Sequence, residues 1–288
     1  MIFNYNIKYK SKNTYENPVF EANWQFLITP ENNETQKVLK SNFNTSVNAR
    51  IETSVNGLGF NASRIHCKNP FDYIEFSAEF KLQKKEINPF DFLPSSDLAA
   101  DYELLNSLHF KVDYISYLIN TPLTQLLNNN QSIYIFDHQK TIFDNLLELN
   151  QWIHNFITFT TGVTHVNTLL SDILKNKEGV CQDYSHLFCA IGRKNNVPTR
   201  YVSGYLHQGN GFLGDSQMHA WVEAYVPYAG WIGFDPTNNI LANHNHIKVA
   251  HGKDYSDCSP IKGVLYSTGK NYTEYTVEVA YKQKQQQQ

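Results

Sequence analysis

The chain has 288 residues, 41% hydrophobic and 18% charged, with 14 Gly and 10 Pro; this excludes wholesale disorder and a fibrous repeat and leaves room for one large core or two ordinary ones. Lys and Arg number 24 against 27 Asp and Glu, a formal charge of −3, so no overall field draws the protein to nucleic acid or an anionic membrane. The four cysteines, Cys67, Cys181, Cys189 and Cys258, are too sparse for a disulfide scaffold and form no CxxC pair, which predicts reduced thiols.

From Phe3 to Leu82 the apolar residues recur with period two: Phe3, Tyr5, Ile7, Tyr9, then Phe20, Ala22, Trp24, Phe26, Ile28, then Ile74, Phe76, Ala78, Phe80, Leu82. Turn residues at Pro30 to Glu34 and Asn56 to Gly59 separate such runs, so residues 1–88 read as an antiparallel β-sandwich domain. Lys81, Lys84 and Lys85 read as a solvated strand end. The segment N-P-F-D-F-L-P-S-S from Asn88 to Ser96 is a Pro-interrupted connector, with Ser96 a candidate helix cap.

Helical stripes follow. Leu98, Tyr102, Leu105, Leu108, Val112, Ile115 and Ile119 make one, which Pro122 should end; Ile142, Phe143, Leu146, Leu149, Ile153 and Ile157 make a second. Val166 to Asn176 is a shorter candidate, and Tyr184, Leu187, Phe188 and Ile191 define a face after Cys181 that Asn195, Asn196 and Pro198 should terminate. Strands return at Arg200 to Tyr205, His219 to Val226 and Trp231 to Phe234, with Tyr275 to Tyr281 as the last. Residues 96–281 thus read as a second domain of helices followed by sheet, and residues 282–288, K-Q-K-Q-Q-Q-Q, as a disordered tail. Met1 to Lys12 carries no leader-like apolar stretch and no run approaches membrane-spanning length, which predicts a soluble, cytoplasmic protein.

The chemistry concentrates in three segments. In G-V-C-Q-D-Y-S-H, Cys181 falls at the first turn of a helix, where free amide donors and the helix-end field favour a thiolate; a buried core cysteine is the competing reading. His219 opens the strand H-A-W-V-E-A-Y-V after the Gly-rich stretch Gly209 to Ser216, a position from which an imidazole can take a thiol proton and return it to a leaving amine. Asp235 ends the apolar strand W-I-G-F-D before Pro236, where a carboxylate can orient that imidazole or merely start a turn.

Four motifs together carry a resemblance: G-V-C-Q-D-Y-S-H (Gly179 to His186), V-P-T-R-Y-V-S-G-Y (Val197 to Tyr205), H-A-W-V-E-A (His219 to Ala224) and G-W-I-G-F-D-P-T-N (Gly230 to Asn238). On these the chain resembles the transglutaminase-like superfamily, specifically the bacterial and archaeal transglutaminase-like cysteine peptidases with an N-terminal β domain. The resemblance runs on to H-G-K-D-Y-S-D at His251 and P-I-K-G-V at Pro260. It implies an α+β fold, a papain-like catalytic core beside the β-sandwich, with a Cys–His–Asp triad matched by Cys181, His219 and Asp235. It further implies a cysteine acyl-enzyme acting on peptide or isopeptide substrates, as a peptidase or amidase, the alternatives being a protein-glutamine acyltransferase or a non-catalytic peptide binder. Lys253 stands where such proteins often carry Arg.

Around the triad, the Cys181 amide and, more weakly, Gln182 are candidate oxyanion donors, and Trp221 and Trp231 are candidate cleft-wall or supporting residues. Asp183 reads as a helix-start carboxylate and His186, five residues after Cys181, lies off its face. His244, His246 and His251 could group only through the fold; no structural metal and no cofactor is expected. Oligomeric state is not legible from periodicity or charge.

Overall fold

The computed structural model describes residues 1–93, 97–127, 133–207, 211–213 and 216–282. The alternating N-terminal runs form β1 (Ile2–Val19), β2 (Glu21–Phe26), β3 (Gln36–Thr45), β4 (Arg50–Val55), β5 (Asn61–Cys67) and β6 (Phe71–Lys85). The middle of the chain holds α1 (Leu98–Asn106), α2 (Leu108–Asp113), α3 (Ile142–Phe156), β7 (Thr158–Phe159), α4 (Leu170–Asn176), β8 (Glu178–Gly179) and α5 (Cys181–Lys194). It continues with β9 (Thr199–Leu206), β10 (Met218–Val226), β11 (Gly230–Asp235), β12 (Ile240–Leu241), β13 (His246–Gly252), α6 (Tyr255–Cys258), β14 (Ile261–Tyr266) and β15 (Asn271–Lys282). This is an α+β fold.

Two four-stranded antiparallel sheets, ordered β15-β1-β6-β3 and β14-β2-β5-β4, face each other. Their alternating aromatic faces interdigitate: the Phe76 ring lies 5.1 Å from Trp24 and 4.6 Å from Phe26. The predicted strand at Tyr275 to Tyr281 forms, but it pairs with β1, placing Val277 opposite Tyr9 and Val279 opposite Ile7. Periodicity fixes which face of a strand is buried and leaves its neighbour open, so the return of β14 and β15 to the N-terminal sheets could not be read from the chain. Lys84 is likewise not solvated. Period two puts it on the face of Phe80 and Leu82, where it is 4% exposed and bonds to Gln36 Oε1 and the His246 carbonyl.

The stripe from Leu98 breaks at Ser107, whose hydroxyl accepts from the Phe110 amide and starts α2. Leu105 and Phe110 are buried, whereas Leu108, Val112, Ile115 and Ile119 are exposed. Ser96 lies outside the described residues; Asp97 caps α1, accepting from the Ala100 amide at 3.0 Å. Residues 208–210 and 214–215 of the Gly-rich stretch before His219, and the tail after 282, also fall outside them.

The second half is an antiparallel five-stranded sheet ordered β12-β11-β10-β9-β13, with α5 packed on it. Every residue of α5 from Gln182 to Arg193 is buried. Phe188 meets Phe234 at 5.4 Å on the sheet side, and Arg193 offsets much of the cost of its burial by donating from its two terminal nitrogens to the carbonyls of Ile119, Thr199 and Lys253 and to Thr124 Oγ1. A central helix so enclosed holds its N-terminus fixed against the sheet. Among the described residues no helix is long and apolar enough to cross a membrane.

Candidate active site

Cys181 is the first residue of α5, so its amide has no intrahelical acceptor. The approach to it is pinned twice. β8 pairs with β7, and the Thr160 amide donates to the Gly179 carbonyl at 3.0 Å. Asp183 folds back, its Oδ2 accepting from the Val180 amide at 2.8 Å and from Thr164 Oγ1 at 2.7 Å. Burial pushes the Asp183 carboxyl up, against those two donors. The helix-start reading of Asp183 is thereby filled in: it ties the loop carrying Thr164 to the helix tip.

That fold-back needs Gly179. A Cβ there would lie 2.6 Å from Asp183 Oδ2 and 2.8 Å from its Cβ. Gly179→Ala is therefore expected to cost about 1–3 kcal/mol of stability through overpacking, and to slow alkylation of Cys181 as the helix tip shifts. Urea denaturation and the rate of iodoacetamide labelling check this; unchanged values in both would show that Asp183 does not set the tip.

Cys181 and His219 line one cavity of about 240 Å3. His219 Nε2 donates to Asp235 Oδ2 at 2.8 Å, while Nδ1 is buried without a hydrogen-bond partner. The free nitrogen is the one available to the sulfur. Both His219 and Asp235 are 1% exposed or less. Burial disfavours the His219 imidazolium, but the charge and hydrogen bond of Asp235, with further help from Cys181, outweigh it and raise its pKa above 6.5. Burial would raise Asp235; His219 and His246 override it and hold the carboxyl well below the usual range. Cys181 is also the accessible thiol, since Cys67, Cys189 and Cys258 are all buried.

Asp235 is saturated with donors. Oδ1 accepts the amides of Thr237 at 3.1 Å and Asn238 at 3.3 Å; Oδ2 accepts His219, His246 Nε2 at 3.1 Å and Asn238 Nδ2 at 2.8 Å. Neither His246 nor Asn238 was singled out for this role from sequence. Asn238 sits in the D-P-T-N motif, a signal that was available, whereas His246 reaches Asp235 only through the return of β13. The fold does not bring His244, His246 and His251 together: His244 stacks on Phe3 at 4.1 Å, and His251 meets Arg200 at 3.3 Å.

His219, Asp235 and His246 place their ligand atoms within 4.8 Å of one another, so a metal has to be considered. Asn243 N–H points at His246 Nδ1 at 3.2 Å, which makes Nδ1 an acceptor and puts the ring proton on Nε2, already donated to Asp235. A cation at Nε2 would have to displace that proton with Nδ1 still facing an N–H, so the donor set does not fit a metal.

The remaining candidates separate. Trp221 is buried beside the pair, stacked on His219 at 6.3 Å and edge-on to His246 at 5.3 Å. Trp231 is elsewhere, under the Arg200 guanidinium at 4.2 Å and beside Tyr117 at 5.3 Å, because it stands at the far end of β11 from Asp235. Gln182 lines the cavity but gives its amide to the Val166 carbonyl at 3.3 Å. His186 accepts from the Tyr255 amide and is held neutral by burial, its pKa pushed down to about 4. Tyr275, from β15, adds a cavity wall with no counterpart in the sequence reading; its hydroxyl donates to Gln217 Oε1 at 3.0 Å.

Residues 131–236, which contain all three of Cys181, His219 and Asp235, match the model of the transglutaminase-like superfamily. That stretch of the chain is a transglutaminase-like core. A crystal structure from Cytophaga hutchinsonii, described as a candidate cysteine protease, superposes on 99% of this chain and 92% of its own with a TM-score of 0.77 at 21% identity, a likeness of fold. An uncharacterized Mycobacterium leprae protein is 35% identical over 133 residues, 45% of this chain and 47% of its own. A Pseudomonas aeruginosa protein named protein-glutamine gamma-glutamyltransferase is 33% identical over 86 residues, 28% of this chain and 12% of its own. The chain spans about half the length of the mycobacterial relatives it matches.

Proposed function

We propose that the protein is a thiol-dependent amidase or peptidase that works through a cysteine acyl-enzyme. One observation carries the reading: the accessible thiol of this transglutaminase-like core stands at a helix tip in the same cavity as His219, whose Nε2 is tied to Asp235 and whose Nδ1 is free. In the proposed reaction His219 Nδ1 takes the Cys181 proton and the sulfur attacks an amide carbonyl. The Cys181 amide is the first donor to the resulting oxyanion. As the tetrahedral intermediate collapses, His219 passes its proton to the leaving amine and a thioester remains. Water, deprotonated by the same nitrogen, then releases the acid and regenerates the thiol. Asp235, with five hydrogen bonds to it, stays ionised throughout and keeps the proton of Nε2 directed at itself. The free thiols fit a reducing compartment such as the cytoplasm.

The runner-up is acyl transfer to an amine, favoured by the stretch shared with the Pseudomonas glutamyltransferase. Incubation with a mixed peptide pool, with and without a primary amine, followed by mass spectrometry separates the two. Hydrolysis products that depend on Cys181 are expected; new amide linkages without hydrolysis would instead establish the transferase. A folded protein that binds peptide yet leaves an electrophilic peptide probe unattached to Cys181 would be a binding module.

A further inference from the structure

We propose that His246 is a positioning residue for the His219–Asp235 pair and that Lys84, from the amino-terminal sheet, holds it in that task. The inference rests on the reading of Cys181, His219 and Asp235 as the reacting group. His246 makes its contact through one defined tautomer, receiving the Asn243 amide on Nδ1 and giving Nε2–H to Asp235 Oδ2. Burial, against the pull of Asp235, keeps the ring in its neutral form. It therefore shares the charge of the carboxylate without cancelling it. An apolar ring would fill the same space against Trp221 but would leave Oδ2 with two side-chain donors and freer to turn about its Cβ–Cγ bond.

The backbone under His246 is anchored from outside its own sheet. Lys84 Nζ donates to the His246 carbonyl and to Gln36 Oε1, and burial pushes its pKa down to about 7. Gln36 in turn accepts the Lys248 amide at 3.0 Å and donates to the Lys248 carbonyl at 2.7 Å. These bonds sit just ahead of the register shift of β13 against β9 between Lys248 and Ala250, where sheet pairing alone holds the strand least. The charged and titratable groups around His246 are Asp235, His219 and Lys84. Through Lys84 and Gln36 the β-sandwich becomes part of what aims the triad.

The test uses the full chain with His246→Phe, which keeps a ring and loses the donor, and His246→Gln, which keeps an N–H. The readouts are the NMR titration of His219 and the pH dependence of Cys181 alkylation by iodoacetamide. With one donor fewer on Oδ2, the carboxylate turns and holds His219 less firmly, so in His246→Phe the deprotonation of His219 is expected to move down by about half a pH unit or more. The alkylation rate near neutral pH is expected to fall roughly tenfold as the carboxylate loses its fixed rotamer, and His246→Gln should restore both. An unchanged titration and rate in His246→Phe overturn the proposal, as does a failure of His246→Gln to recover them. Lys84→Met leaves the imidazole in place and frees its carbonyl; it must slow alkylation in the same direction, and an unchanged rate overturns the proposal even if His246→Phe does not fold. Because neither readout needs turnover, a protein that hydrolyses no amide would fail as a hydrolase while His246 is still tested.

Discussion

Cys181→Ala is expected to abolish both amide turnover and native-state thiol labelling. Wild-type protein should take up one carbamidomethyl group, on Cys181, because Cys67, Cys189 and Cys258 are each 0% exposed; the variant should take up none until it is unfolded. Turnover should fall roughly 10^6-fold, the scale on which losing the nucleophile disables a triad that acts as a unit. Stability should barely change, since a half-buried sulfur at a helix tip is lost without opening a core cavity. A further effect separates a reacting thiol from a bystander. Cys181 helps to raise the His219 pKa, so His219 in Cys181→Ala should lose its proton at lower pH, visible in its NMR titration. Labelling that persists on the native variant, or hydrolysis that survives it, would place the chemistry on another group.

The placement of the candidate site was the most legible part of the chain, because its constraints are local. A cysteine needs a helix start, and G-V-C-Q-D announces one; an aspartate that must accept from its own backbone needs a turn, and F-D-P-T-N supplies it through the Thr237 and Asn238 amides. What could not be read was the set of contacts made by chain closure. Tyr275 reaches the Cys181 cavity because β15 lies along β1, and no pattern in the strand itself names its neighbour. Lys84 read as a solvated end because a single cation on a buried face has no periodic signature; its partners, Gln36 and the His246 carbonyl, come from strands distant in sequence. Trp231 illustrates the opposite error. Its nearness to Asp235 along the chain suggested a shared site, but β11 carries the two to opposite ends, and Trp231 packs under Arg200.

Asp235→Asn should cripple catalysis and fold stability together, with a pH signature of its own. If the new amide keeps its oxygen on the Thr237 and Asn238 amides, its NH2 faces Asn238 Nδ2 and the Nε2–H groups of both His219 and His246, donor against donor. His219 can relieve the clash only by moving its proton to Nδ1, the nitrogen that must be empty to receive one from Cys181. A loss of about 10^4-fold in turnover is expected from the wrong tautomer. Removing the charge that pairs with buried His219 should cost about 3–5 kcal/mol of stability. The size of that gap depends on pH in a direction the two shifts fix. The depressed Asp235 carboxyl contributes fully above its unfolded pKa, near 3.9, and loses the contribution as pH falls through its folded value. The raised His219 contributes fully below its unfolded pKa, near 6.5, and loses the contribution as pH rises through its folded value. Urea denaturation of wild type and variant across pH should therefore find the largest difference between about pH 4 and 6.5, shrinking above that window. A difference that stays flat up to pH 9 would mean that Asp235 and His219 do not form the coupled pair on which the proposed mechanism depends.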